Sequence, residues 1–407
     1  MIALDRVIAF LVLAFPIVLL AVKPLAIMIF MFIAIIGVFV SIKDRKNPFA
    51  IESIKLFSWL TIGYFFVMSL SVLLSTEPTN LWVHLSRVSY FLFAPFVALA
   101  IIQSNISIEA LVKSFKLGIV IAGAISLIGF IMADGSGRFS GMYNPNTFGD
   151  LAVMMLFFSI LNIQNESQKE YMFSLVSVLF GVTAVCMTGS RGSMVSLILL
   201  LVVYILVMHR ATNTNHRRIG LVAILFISTF SLNIFGFSDS GNRLFSIKTQ
   251  IKKWEDSNRK LLDRANTTAT RLEMYASGWK AFIDSPITGY GYYSCGVAAS
   301  RYASQDELVQ KDFEGRWHLH NELMTNMVNA GILGLGSLMA LYIVPLLLFV
   351  RKIRSNTYAI MGVMLISGYV LLGLTHTLFG YEYETAFFIV ILAYTLGQYS
   401  NESNKYV

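Results

Sequence analysis

The sequence predicts an all-α, polytopic integral membrane protein with about twelve transmembrane helices and one large, mainly helical loop on the outward side. Composition is the first reason. Of 407 residues, 56% are hydrophobic and 13% charged, with a mean hydropathy of +0.68, whereas a water-soluble domain must still build a polar exterior. The second is the recurrence of apolar runs near the length of roughly 20 helical residues that crosses a ~30 Å hydrocarbon core. These runs lack the period-two alternation of membrane strands. Their backbone groups must therefore be satisfied within each segment, as in a helix. The third is a single long polar stretch, 238–317, in an otherwise apolar chain.

In chain order, the expected spans are about 7–22, 25–41, 56–74, 88–102, 111–132, 147–163, 171–188, 192–208, 219–237, 321–350, 357–377 and 383–399. The first follows Asp5 and Arg6 as a secretory signal would. No small-x-small cleavage site comes after it, and Lys23-Pro24 leads at once into the second run, so a retained helical hairpin is expected. Basic residues cluster after the second span (Lys43, Arg45, Lys46, Lys55), the fourth (Lys113, Lys116), the eighth (His209, Arg210, His216, Arg217, Arg218) and the tenth (Arg351, Lys352, Arg354). Alternate loops are thus basic, which places them and both termini in the cytoplasm. The net charge of +8 is then a topology signal, not a sign of nucleic-acid binding. The chain divides into membrane helices 1–237, the loop 238–317, and membrane helices 318–407. Two cysteines, Cys186 and Cys295, give neither a metal-ligand spacing nor a disulfide framework.

Within the loop, Leu244, Ile247, Ile251, Trp254 and Leu261 follow helical spacing with Lys252, Lys253, Arg259 and Lys260 on other faces, an amphipathic helix. A second helix is expected to start at Thr270, since Thr270-Arg271-Leu272-Glu273 has the capping-box spacing. Its apolar face would be Leu272, Tyr275, Ala276, Trp279 and Phe282, and it would end at Asp284-Ser285-Pro286 before the Gly289-Tyr290-Gly291 turn.

Three places carry residues suited to chemistry. Arg191 sits in Thr188-Gly189-Ser190-Arg191-Gly192-Ser193, a short break between spans on the outward side. A snorkelling arginine is the plain alternative, but the positive-inside rule disfavours arginine there, and the glycines admit a ligand close to the backbone. Arg271, in the first turn of its expected helix, opposes the helix dipole unless an anion shares the site. Two guanidinium groups can grip a diphosphate bidentately, as lysine cannot. His318-Leu319-His320-Asn321-Glu322 stands where the loop returns to the membrane. A His-x-His pair points its two side chains apart on a helix and lacks further ligands at recognisable spacing, so no metal is expected. His320 suits a general base toward a sugar hydroxyl near neutral pH, with Asn321 placed to orient the ring or a sugar. His318, Arg138 (in the outward 135–141 loop) and Arg316 are further substrate-binding candidates.

Taken in order, Thr188-Gly-Ser-Arg191-Gly, Arg271-Leu-Glu-Met-Tyr275 leading to Asp284-Ser-Pro286, His318-Leu-His320-Asn-Glu322-Leu and Ala330-Gly331-Ile-Leu-Gly334 resemble the O-antigen ligase family. Asn144-Pro145-Asn146 at the sixth span is similar to a motif of the wider ligase and polymerase superfamily. The resemblance implies a metal- and cofactor-free, inverting glycosyltransferase at the periplasmic face of a Gram-negative inner membrane. Its donor would be O-antigen on undecaprenyl diphosphate and its acceptor lipid A–core oligosaccharide. By the same likeness Arg191 and Arg271 would bind the diphosphate and His320 would activate the acceptor. An O-antigen polymerase and a protein O-glycosyltransferase use related chemistry. A lipid-linked-glycan transporter or flippase, which would call for mid-membrane charges and paired broken helices, is the rival from another class, disfavoured because the predicted spans are nearly free of charge and the polar material is concentrated on one face.

Overall fold

The computed structural model describes residues 2–73, 81–133, 137–211, 216–236, 238–256, 267–303 and 307–403, which fold entirely as helices, turns and loops with no strand among them. In chain order these are α1 (Ile2–Leu19), α2 (Lys23–Lys43), α3 (Glu52–Leu73), α4 (Leu81–Gln103), α5 (Ile108–Met132), α6 (Pro145–Ser159), α7 (Gln168–Met187), α8 (Arg191–Arg210) and α9 (His216–Gly236). After them come α10 (Ser238–Asp256), α11 (Thr267–Asp284), α12 (Cys295–Ser300), α13 (Glu307–Glu314), α14 (Glu322–Arg351), α15 (Thr357–Gly373) and α16 (Glu382–Ser403). Every one of the twelve expected spans is a helix. Nine of the helices are long and apolar enough to cross a membrane among the described residues, and α15 is a shorter apolar helix. The chain is a multi-pass membrane protein. Large apolar side chains such as Ile42, Phe66 and Leu232 face outward from the bundle, as lipid-facing positions do.

Local chemistry sets the helix starts. Pro24 occupies the first turn of α2, where a missing N–H costs nothing. Ser167 and Glu170 form a reciprocal capping box at α7. Asn144 caps α6 by accepting from the Asn146 amide, with Pro145 behind it. From Thr147 to Ser159 every residue of α6 is buried, which makes it the central post of the bundle, packed against α5, α7, α8 and α15. At the end away from the polar loop, Lys116 and Glu166 form a buried ion pair at 2.6 Å.

The long tenth span is not one continuous helix. Backbone torsions leave the helical range at Ala330 and Gly331, and the Gly289–Gly291 turn fits into the break. The amides of Tyr290 and Gly291 donate to the carbonyls of Val328 (2.9 Å) and Asn329 (2.8 Å), and the amide of Ile332 donates to Pro286 O at 2.8 Å. Groups freed by the kink are therefore satisfied by protein, as an apolar surrounding demands. Gly331, at φ +60°, leaves no room for a Cβ: one built there would stand 2.3 Å from Ile287 O.

Two expectations for the loop need correction. The helix α11 is already formed at Thr267, ahead of Thr270, so Thr270 is not its cap and Arg271 lies beyond the first turn. The helix also buries a different face from the one expected. Glu273, Met274, Ser277, Gly278 and Ala281 are buried, while Trp279 is 49% exposed. Small residues decide this, because Gly278 lets the helix close onto Leu319 and Met324 of α14 and its approach. The preceding amphipathic segment is helical as α10, and Arg259, Lys260 and Leu261 lie outside the described residues. Both cysteines are buried, and they form no disulfide with each other.

Candidate active site

The segment Arg316 to Glu322 is pinned at several points. Asn321 caps α14, its side-chain oxygen accepting from Met324 N at 2.9 Å, while its amide nitrogen donates to Leu374 O at 3.1 Å. Both ends of this side chain are thus engaged in holding the loop, not in orienting the His320 ring. The hydroxyl of Tyr275 donates to His320 O at 2.9 Å, and the Leu319 amide donates to Thr325 Oγ1 at 3.1 Å. Held this way, His320 adopts φ +51°, a left-handed conformation that a non-glycine residue keeps only where its surroundings impose it. Glu322 is engaged by the turn that follows α15. Its carboxylate accepts from the amides of Leu378 and Phe379 and from Asn326 Nδ2, fastening the turn between α15 and α16.

That turn brings in a third imidazole. The ring centroids of His318 and His320 are 4.3 Å apart, and His376 lies 6.3 Å from the first and 6.4 Å from the second, with its plane 23° from that of His320. Both ring nitrogens of His318, Nδ1 of His320 and Nε2 of His376 are buried without a hydrogen-bond partner. Arg316 anchors on Asp312 at 2.8 Å and brings Nη1 within 3.4 Å of His320 Nε2. Burial pulls both His318 and His320 well below the ordinary imidazole value. The neighbouring histidines, Arg271 and Arg316 add to the effect. Both rings are therefore neutral near pH 7, the form a proton acceptor needs.

Arg271 faces this group from α11. Among the described residues it forms no hydrogen bond or ion pair. Burial lowers its pKa, and Arg316 is a like-charged neighbour, with Tyr275 and Asp150 acting in the opposite sense. A half-buried guanidinium beside a second one, with no carboxylate bonded to it, is electrostatically suited to an anionic ligand. Arg191, at the start of α8, donates to Gln250 Oε1 (2.9 Å) and Ser246 Oγ (3.1 Å) of α10 and to Thr268 Oγ1 (2.7 Å) of α11. It therefore reaches the same helix that carries Arg271. Arg138 donates to Thr188 O at 2.6 Å, just before the α8 turn, and is exposed. It belongs to the α6–α8 side of the site, where its Nη2 also lies 3.5 Å from Asn146 Oδ1. Gly192 permits the α8 turn to abut the α15–α16 turn, since a Cβ there would lie 2.1 Å from Thr375 Oγ1.

Sequence reasoning missed several residues that the fold brings here. His376 donates from Nδ1 to Asp150 Oδ2 at 2.8 Å and stands 3.4 Å from Glu384 Oε1, all three fully buried. Asp150 also accepts from Ser193 Oγ at 2.6 Å, linking α6, α8 and α16. The signal was available: acids in otherwise apolar runs are costly and mark function or pairing. Arg87 of α4 lies over the rings of Tyr293 and Trp317, at 5.4 and 5.2 Å, and Trp317 stacks on His318 at 4.3 Å. The spans therefore carry more buried charge than expected, but Asp150, Glu322 and Glu384 all stand in the first two turns of their helices, at the loop-bearing end. Asp150, His376 and Glu384 are the one set of three His, Cys, Asp or Glu donors close enough together for a metal ion among the described residues. The His318-x-His320 pair is not in it, and Nδ1 of His376 is already bonded to Asp150.

Comparison with known proteins fits this geometry. Residues 176–339, which run from α7 through the loop and into α14, match the family model described as O-Antigen ligase. An uncharacterized protein of Haemophilus influenzae is 22% identical over 327 residues, covering 77% of this chain and 76% of that protein. A ComP-specific O-oligosaccharyltransferase of Acinetobacter baylyi is 23% identical over 281 residues. The match covers 66% of this chain but only 46% of that relative, so the chain spans less than half of its length.

Proposed function

Starting from the O-antigen ligase match over the segment that bears the arginines and histidines, we propose that this membrane protein transfers a glycan from a polyprenyl diphosphate to an acceptor hydroxyl. The donor is O-antigen on undecaprenyl diphosphate, and the acceptor is the outer sugar of lipid A–core oligosaccharide. The site faces the periplasm from the inner membrane. In this reading the helices up to residue 237 and from 318 onward form the membrane part, and 238–317 shapes the donor side.

Neutral His320 takes the proton of the acceptor hydroxyl, whose oxygen attacks the anomeric carbon. The bond from that carbon to the diphosphate oxygen breaks, and the diphosphate leaves with the electron pair. Arg191 and Arg271 meet its charge, fixed cations being most effective where charge develops. Attack opposite the leaving group inverts the anomeric configuration. Arg316 and His318 line the approach to His320, while Asn321 serves through the loop it caps. No step calls on a metal ion or a cofactor.

The observation that carries this reading is the meeting of a desolvated neutral imidazole, His320, with the Arg271 guanidinium, which has no carboxylate bonded to it among the described residues, at one end of a membrane bundle. A polymerase would use the same donor with a second lipid-linked glycan as acceptor. The oligosaccharyltransferase relative favours a protein hydroxyl as a second reading of the acceptor. Purified protein, given the undecaprenyl-linked donor in chelator, should glycosylate lipid A–core. Product formed only on lipid-linked glycan or only on a protein would reassign the acceptor, and no product on any of the three would remove the reading.

A further inference from the structure

His376 has no part in the proposed reaction, yet the fold commits five separate helices to it. It stands on the α15–α16 turn, which the Glu322 carboxylate of α14 fastens through the amides of Leu378 and Phe379. The turn is fixed again from α4, where Arg87 donates to Gly380 O at 2.6 Å. Asp150, from the central helix α6, takes the His376 Nδ1–H, and Ser193 of α8 donates to the other oxygen of that carboxylate. Glu384 approaches from α16 at 3.4 Å. With Nδ1 held by carboxylates, the ring's free edge, Nε2, is buried and unpartnered, and its plane lies close to parallel with His320 across 6.4 Å.

We propose that His376, anchored by Asp150, is a positioning residue for His320: it backs the His320 imidazole and presents a fixed positive charge to it. The proposal rests on His320 being the base. An imidazolium is the form that two neighbouring carboxylates favour, and a cation behind His320 keeps His320 itself unprotonated. The groups that face His320 are His318 and Arg316 from its own loop, Arg271 and Tyr275 from α11, and His376. Those that face His376 are Asp150, Glu384, Tyr381, His318 and His320, with the buried carboxylate Glu322 of α14 also within electrostatic reach. His376 is thus the cation of this group that is not supplied by the loop or its flank, and it reports the packing of α6, α8 and α16 to the base.

The test uses full-length protein in nanodiscs, with two readouts. One is the protonation of His320 followed by 15N-histidine NMR, assigned with the His320→Gln variant, which needs no turnover. The other is the pH profile of transfer from the undecaprenyl-linked donor to lipid A–core. His376→Gln should raise the pH of His320 protonation by about one unit, as expected for removing a nearby like charge, and the isosteric Asp150→Asn, which takes away the carboxylate that holds the His376 proton, should shift it in the same direction. Each should move the acid limb of kcat up by the same amount and leave the donor KM within about twofold. Should His376→Gln fail to fold, Asp150→Asn carries the test alone. Unchanged His320 titration in Asp150→Asn overturns the proposal. Activity lost to chelator and restored by a divalent ion also overturns it, making the three donors a metal centre. Wild-type protein that shows the NMR shift pattern but transfers nothing to any acceptor sinks the assigned reaction instead, which keeps the two failures distinct.

Discussion

Arg191 donates to the hydroxyl of Thr268 at 2.7 Å, and Thr268 stands one helical turn before Arg271 on α11. Residues three apart share a helix face, so this bond brings the start of α8 to the face of α11 that carries the second arginine. Replacing either arginine by alanine is expected to lower transfer by about 10²–10³-fold, the usual loss of one donor to a developing oxyanion. Arg271→Lys should recover little, because lysine lacks the planar fork. Thr268→Val, which only loosens Arg191, should cost less than either alanine variant. Steady-state kinetics on the four proteins would check the order.

Removing the base should be at least as damaging. His320→Ala is expected to reduce kcat by about 10²–10⁴-fold, the range for a positioned general base, with membrane insertion and detergent stability unchanged. His318→Ala, whose ring packs on Trp317 and His320, should lose less. Near-wild-type turnover in His320→Ala would take the residue out of the mechanism.

These two predictions rest on residues that the sequence exposed, and the reason is physical. Arg271, His318 and His320 sit in or beside the polar loop, and Arg191 in the short polar break at 188–193, where a charged or titratable side chain stands out against apolar runs. His376, Asp150 and Glu384 were hidden because each lies in or beside a run read as plain membrane helix, and only the packing of α6, α8, α15 and α16 brings them together. The helical, membrane-spanning character of the apolar runs was legible from length and hydropathy, while the break at Gly331 was not, since it depends on a turn some forty residues earlier in the chain. The start of α11 was misplaced for a similar reason. The Thr270–Glu273 spacing mimics a cap, but the helix runs back to Thr267, where Thr268 meets Arg191.

Acid should affect stability and activity differently. His318 and His320 titrate below the ordinary value of about 6.5 in the folded protein. As pH falls through that value the unfolded chain takes up protons that the folded protein refuses, so both groups withdraw stability below about pH 6.5. The unfolding midpoint should therefore be lower at pH 5.5 than at pH 7.5, and the difference should shrink in the His318→Gln/His320→Gln double variant. Turnover, by contrast, should stay level through pH 6.5, because neutral His320 persists. An acid limb at 6.5 or above would show an imidazole in an ordinary environment.

The Lys116–Glu166 pair tests whether buried charge at the opposite end is structural. Lys116 Nζ lies 2.6 Å from the carboxylate, and Ser174 Oγ donates to its other oxygen at 2.7 Å. Lys116→Met leaves a buried carboxylate without its cation and should destabilise by about 3–5 kcal/mol. The double variant Lys116→Met/Glu166→Gln should recover much of that loss. Kinetic constants of whatever protein stays folded should match wild type, since neither group approaches the histidines.

Gly331 joins the fold to the site, and its replacement separates local strain from helix propensity. Its torsions, φ 60° and ψ −148°, lie in a region that costs other residues about 1–3 kcal/mol, and a Cβ would press on Ile287 O. Gly331→Ala should therefore lower the unfolding midpoint, and weaken transfer as well, because the turn it admits packs beside α11 and the approach to His320. Gly336, five residues on in the same helix, has nothing within 4 Å of a Cβ, so Gly336→Ala should be neutral or stabilising by up to about 1 kcal/mol. Equal effects from the two substitutions would mean that the break at Gly331 is an ordinary helical position, and that the loop is not held there.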